Sequence, residues 1–215
     1  MGRGPVGAPA IIRYVNNSLA SVDDVSGIDG SMVLIKTLTA SSSSTLSFVD
    51  GSDDVVLDNT YPIYKFVWIN IHPSGDGTQF SFQGNAAGGA DYNETMTSAG
   101  FKAYHDEGDT GTSLAYSGGA KDQAQQTSFE SLGHATSNDN DHACSGELWL
   151  FNPSSTTYVK HFIARIIETE DNNNAQDIYK SGYFNTTSAI DEIQFKFTSG
   201  TMDAGTIKLY GIKDS

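Results

Sequence analysis

Residues 64–71 read Tyr-Lys-Phe-Val-Trp-Ile-Asn-Ile. Side chains alternate across a β-strand with period two. Tyr64, Phe66, Trp68 and Asn70 therefore share one face, and Lys65, Val67, Ile69 and Ile71 the other. Both faces are mostly apolar, which predicts a central strand in a two-layer structure. β-branched and aromatic residues at this density favour pleated sheet over helix.

The same pattern recurs in both directions from this stretch. Towards the N-terminus, Met32–Thr39 and Thr45–Val49 read as strands, with the acidic loop Asp50–Asp54 after them. Towards the C-terminus, Thr78–Gln83 sets Phe80 and Phe82 inward, and Asn85–Tyr92 reads as a glycine-rich loop. Thr97–Tyr104, Glu147–Phe151, Tyr158–Glu168, Asp177–Phe184, Ile190–Thr198 and Thr206–Ile212 continue the series. In the last two, Ile193, Phe195 and Phe197 share a face, as do Ile207, Leu209 and Gly211. Lys121–Gly133 fits a short helix or a strand. About ten strands joined by short polar turns predict an all-β fold, an antiparallel two-sheet sandwich of jelly-roll type. An immunoglobulin sandwich is disfavoured, because the chain has one cysteine and so lacks the Cys-Trp-Cys signature.

Composition supports this. Of 215 residues, 18% are charged and 22 are glycine, where about 25% and 7% are usual. Phe, Tyr and Trp make up 11%, too many and too evenly spread for a disordered chain. The formal charge is −14, from 26 acidic and 12 basic residues. Such a surface repels a phosphate backbone, so no nucleic-acid partner is expected. No run approaches the ~18 apolar residues of a membrane helix, so no membrane insertion is expected. Met1–Ala10 lacks the apolar core of a signal peptide, which predicts synthesis in a cytoplasm.

Residues 1–30 differ from the rest. Gly2, Gly4, Pro5, Gly7 and Pro9 precede the apolar patch Ile11, Ile12, Tyr14 and Val15. We read this segment as an extended docking arm with those four residues as anchors, and residues 31–215 as the sandwich domain.

Candidate chemistry is sparse. Calcium requires several oxygen ligands at close spacing. Asp50, Asp53 and Asp54, and separately Asp139 and Asp141, are weak candidates for a Ca²⁺ site, and no other cofactor is expected. His105, Asp106, Glu107 and Asp109 cluster between glycines and read as a solvated hairpin tip. No GxSxG elbow, P-loop or HExxH motif is present, and no catalytic residue is assigned. Trp68 and Trp149 fall inside apolar strand patterns and are expected in the core. Tyr92, Tyr104 and Tyr116 lie near loops and are the candidates for contact with a glycan or partner. Cys144 reads as a small strand-side residue.

One resemblance adds to this reading. The segment 190–213, IDEIQFKFTSGTMDAGTIKLYGIK, resembles a terminal strand pair of bacteriophage virion proteins. FVWINIHPSGDGTQFSFQGNAAGGADYNET (66–95), AYHDEGDT (103–110) and ELWLFNPSSTTYVKHFIAR (147–165) are similar to structural proteins of marine and cyanobacterial phages. The resemblance covers Met32 to Lys213 and leaves the arm outside it. It implies a non-enzymatic virion protein on the particle exterior, either a tail fibre or spike component or a capsid decoration (cement) protein. The implied partners are other virion proteins and, as a homo-trimer, further copies of the chain. The competing expectation is a lectin-like module binding host-surface glycans, which jelly rolls also support. A glycan depolymerase ranks last, because no carboxylate pair stands in a recognisable setting.

Overall fold

The computed structural model describes residues 12–15, 18–22, 31–119 and 121–214, and for 12–22 the backbone alone. Every element among them is a strand. In chain order they are β1 (Ile12–Val15), β2 (Ser18–Val22), β3 (Met32–Thr39), β4 (Leu46–Val49), β5 (Ile63–Pro73), β6 (Phe80–Ala86), β7 (Met96–Asp106) and β8 (Thr112–Tyr116). They continue with β9 (Ala124–Gln126), β10 (Glu130–Ser131), β11 (Cys144–Phe151), β12 (Lys160–Thr169), β13 (Asn174–Phe184), β14 (Ile190–Phe197) and β15 (Met202–Ile212).

Two antiparallel sheets pack face to face. The large one runs β3-β15-β5-β11-β12-β13-β7-β8, with β9 also on β7; the small one runs β10-β6-β14-β4. This is the antiparallel two-sheet sandwich expected. Nine strands against four is a more lopsided pair than an eight-stranded jelly roll has. β1 and β2 pair only with each other. Ile11 and residues 23–30 lie outside the described residues, and of the other arm anchors Ile12, Tyr14 and Val15 only the place in β1 is described.

The core lies between the sheets. Tyr64, Phe66 and Trp68 from β5 meet Phe80 and Phe82 from β6 and Ile193, Phe195 and Phe197 from β14, all buried. Phe195 sits at the centre. It stacks on Phe80 at 5.7 Å and lies within 6.4 Å, centroid to centroid, of Phe48, Phe66, Trp68 and Phe82. Ile207 and Leu209 are buried as their spacing predicts.

The Lys121–Gly133 stretch takes the strand alternative, as two short strands, β9 and β10. One local expectation is corrected: the alternation in β5 breaks at Asn70, which is exposed at φ 50°, while Ile71 turns into the core. The break is a bulge shared with both neighbours: the register shifts between Ala204 and Thr206 on β15 and between Cys144 and Gly146 on β11. Ser145 Oγ accepts from the Asn70 N–H at 3.0 Å. Gly205, at φ +107°, faces Asn70 so closely that an added Cβ would lie 2.4 Å from its carbonyl oxygen. Gly205→Ala is therefore expected to cost about 1–3 kcal/mol, read from urea denaturation. An unchanged midpoint would show that the bulge relaxes freely.

The small sheet covers only one face of the large sheet. Lys65, Val67 and Ile69 on the other face of β5 are half-buried or exposed, and Ile69 is 41% exposed.

Candidate functional site

That outer face is built by strand register. Lys208, Val67, Glu147, Arg165, Tyr179, Phe101 and Tyr116 are cross-strand partners in one row, from β15 to β8. The next row is Tyr210, Lys65, Trp149, Ile163, Ser181 and Ala99. On β13 and β7 the large Tyr179 and Phe101 of the first row stand beside the small Ser181 and Ala99 of the second. The result is a groove of about 940 Å³, with Ala99, Ser181 and Ile163 along it and Trp149, Tyr179, Phe101 and Tyr116 around it.

The polar groups in this groove are paired with each other. Lys65 Nζ lies 2.6 Å from Glu147 Oε2 and 4.4 Å above the Trp149 ring. The Trp149 Nε1–H donates to Glu147 Oε1 at 3.0 Å. Partial burial pushes the Glu147 carboxyl up, but the bonds from Lys65 and Trp149 outweigh it and hold the carboxyl below its usual range. Arg165 donates to both oxygens of Asp177, at 2.9 and 2.8 Å, and its guanidinium lies 5.0 Å from the Tyr179 ring. This bidentate bond raises its pKa further. Tyr179 in turn stacks on Phe101 at 4.9 Å and 10°. Charge is cancelled locally and the rings are held in place, while Leu114, Tyr116, Ile163 and Ile167 remain about half or more exposed. Contiguous exposed apolar surface of this kind marks an interaction site.

Of the three tyrosines proposed from the sequence, Tyr116 is at this groove, where its hydroxyl donates to Asp122 at 2.9 Å. Tyr104 lies on β7 with the opposite parity to Phe101, beneath Lys102. Tyr92 is half-buried beside the small sheet, its hydroxyl pushed up to about 12 by burial and by its bond to Glu192. The three are not brought together.

Trp68 is in the core, whereas Trp149 is not. Leu148 and Leu150 point inward, so Glu147 and Trp149 must point out. The alternation of that short strand carried the signal; its overall apolarity hid it.

The acidic loops behave as turns. Asp50 Oδ1 accepts from the Leu57 N–H at 2.7 Å, and Asp53 and Asp54 are exposed with positive φ. Asp139 and Asp141 flank His142 at 3.8 and 3.9 Å. Among the described residues, no three His, Cys, Asp or Glu side chains converge on a point that suits a metal ion. His105 and Asp109 pair at 3.0 Å on an exposed hairpin tip. Cys144 is buried, and burial raises its thiol pKa well above the usual value.

Sequence reasoning did not find a buried polar layer at one end of the sandwich. Glu130 accepts from Ser98 Oγ at 2.7 Å and faces Lys180 Nζ at 3.5 Å. Glu168 accepts from the N–H groups of His134 and Ala135 and from Thr136 Oγ1. His134, buried near Lys121, Lys102 and Lys180, has its pKa lowered to about 3 by burial and by those cations, and so is neutral. These residues are scattered along the chain, and only the sheet pairing gathers them.

No family model, curated protein or solved structure matches this chain.

Proposed function

We propose that the chain is a non-enzymatic structural subunit of a bacteriophage particle, displayed on the exterior as a capsid decoration protein or tail fibre component. The single observation that carries this is the uncovered, apolar outer face of the nine-stranded sheet. A domain that leaves Phe101, Leu114, Tyr116, Ile163, Ile167 and Tyr179 in water is completed by a protein neighbour. The Lys65–Glu147 and Arg165–Asp177 pairs on this face sum to no net charge, so they add nothing to the repulsion that a net charge of −14 sets between acidic copies. The resemblance of 66–95, 147–165 and 190–213 to phage structural proteins supports the same reading.

Gold-labelled antibody against the chain should decorate the outside of purified particles. Label confined to the soluble fraction of the lysate would sink the proposal. A second check uses Ile163→Glu combined with Tyr179→Glu. Both residues point outward, so the melting temperature should move by only a few degrees, while self-association and particle incorporation are lost. Incorporation at the wild-type level would remove the outer face from the interface.

A second reading, a lectin-like module, is favoured by the ring faces of Trp149, Tyr179, Phe101 and Tyr116 in one groove. Ile163, Ile167 and Leu114 on the same surface argue for protein instead, since sugars gain little from branched aliphatic chains. Binding to a glycan array that Trp149→Ala abolishes would favour the lectin.

A further inference from the structure

We infer that the buried polar layer at one end of the sandwich binds a monatomic anion of chloride size, held between β7, β13 and residues 121–136. This site is separate from the outer groove and does not rest on the particle reading.

Strand register builds its floor. On the inner face of the large sheet, Lys102 of β7 pairs with Ile178 of β13, with Gln176 and Lys180 one step along β13 on either side. Ser117 lies beside Lys180, because its N–H donates to the carbonyl of Gly100, the cross-strand partner of Lys180. Residues 121–136 form the cover. The Gln123 N–H donates to Ser98 Oγ on β7, Lys180 Nζ donates to the Lys121 carbonyl, and the His134 N–H donates to Glu168, the cross-strand partner of Gln176.

Hydrogen bonding singles this layer out. Nine buried side-chain atoms among the described residues have no hydrogen-bond partner, and five of them are here: Ser117 Oγ, Glu130 Oε1, Gln176 Nε2 and both ring nitrogens of His134. Gln176 is 1% exposed and His134 3%. Buried polar groups are normally bonded, so such a concentration points to a shared ligand.

Charge selects an anion. Lys102, Lys121 and Lys180 all lie close enough to His134 to disfavour its protonation, so the ring is neutral and keeps one N–H to donate. Glu130 answers Lys180 at 3.5 Å, but among the described residues no carboxylate forms an ion pair with Lys102 or Lys121. Lys102 Nζ reaches only Gln176 Oε1, at 3.5 Å, and that contact leaves the amide NH₂ to donate elsewhere. His134, Gln176 and Ser117 thus offer donors, and Lys102 and Lys121 supply positive charge. A species that only accepts and carries negative charge suits this set. A water molecule would leave both ammonium charges unbalanced. Burial favours a single-atom anion over a tetrahedral oxyanion, which needs more donors and costs more to desolvate.

The test melts the full chain in sodium gluconate and in sodium chloride at equal ionic strength, gluconate being too large for a buried layer. Chloride should raise the wild-type melting temperature by about 3–6 °C, saturating with concentration. Gln176→Leu and Lys102→Met should each cut that rise by at least half. In gluconate, Gln176→Leu should be no less stable than wild type, since it removes an unbonded donor. Lys102 is half-buried, so its variant carries the comparison if Gln176→Leu does not fold. An equal rise in wild type and variant is a general salt effect and overturns the inference. Diffraction from bromide-soaked crystals gives the position. An anomalous peak bonded to His134 and Gln176 supports the site. Bromide on the surface alone, an adventitious ion only, or a water molecule in that place overturns it.

Discussion

Phe195→Ala should destabilise the fold by about 3–5 kcal/mol, the usual range for truncating a buried phenylalanine. Five aromatic rings, those of Phe48, Phe66, Trp68, Phe80 and Phe82, surround this one side chain. They come from β4, β5 and β6, so the ring joins both sheets. A collapse that fills the space would have to move strands in both layers at once, so most of the cavity should persist. Urea denaturation followed by Trp68 fluorescence is a direct readout, because that indole is fully buried and 6.2 Å from the deleted ring. A loss below about 1 kcal/mol would mean that the core repacks around the gap.

Lys180→Met should cost a similar amount, about 3–5 kcal/mol, for an electrostatic reason. Lys180 and Glu130 are both buried, and the ammonium group also donates to the Lys121 carbonyl. Removing the cation strands a carboxylate among groups that cannot neutralise it. Burial already pushes the Glu130 carboxyl up, against the opposing pull of Lys180. Without Lys180 it rises further. Between the unfolded and folded pKa values the native state then binds the extra proton, so stability falls as pH rises through that window. The variant's deficit should therefore shrink on moving from pH 8 towards pH 5. Replacing both partners, Lys180→Met with Glu130→Leu, should recover much of the loss. A single variant as stable as wild type at pH 8 would show that water reaches this layer.

The strand pattern was largely legible in the residues. Met32–Thr39 is β3 as read, and β4 to β7 and β11 to β15 fall within a few residues of their expected bounds, because turn residues and period-two alternation coincide at each one. Strands in the 112–131 stretch were not legible. β9 and β10 have two or three residues each, too few for a period, and are held by pairing with β7 and β6. The Asn70 bulge was hidden for another reason. Its cause is the glycine at 205, more than a hundred residues away, whose backbone lies against it. The candidate site was the least legible part. Of the residues singled out as contacts, Tyr116 alone lies in the groove, and the rest of that surface comes from β7, β8, β11, β12 and β13.

By itself, the sequence determined that this chain folds as an antiparallel β-sandwich with an aromatic core, since alternation and turn chemistry are local properties. It did not determine which apolar face of a strand is covered. In 64–71 both faces are hydrophobic, and the preference for burial is the same for Trp68 as for Val67 and Ile69. The small sheet has only four strands and can cover only one side of nine. Tertiary pairing therefore placed Trp68 in the core and left Trp149, Ile163 and Tyr179 outside, and that choice created the groove.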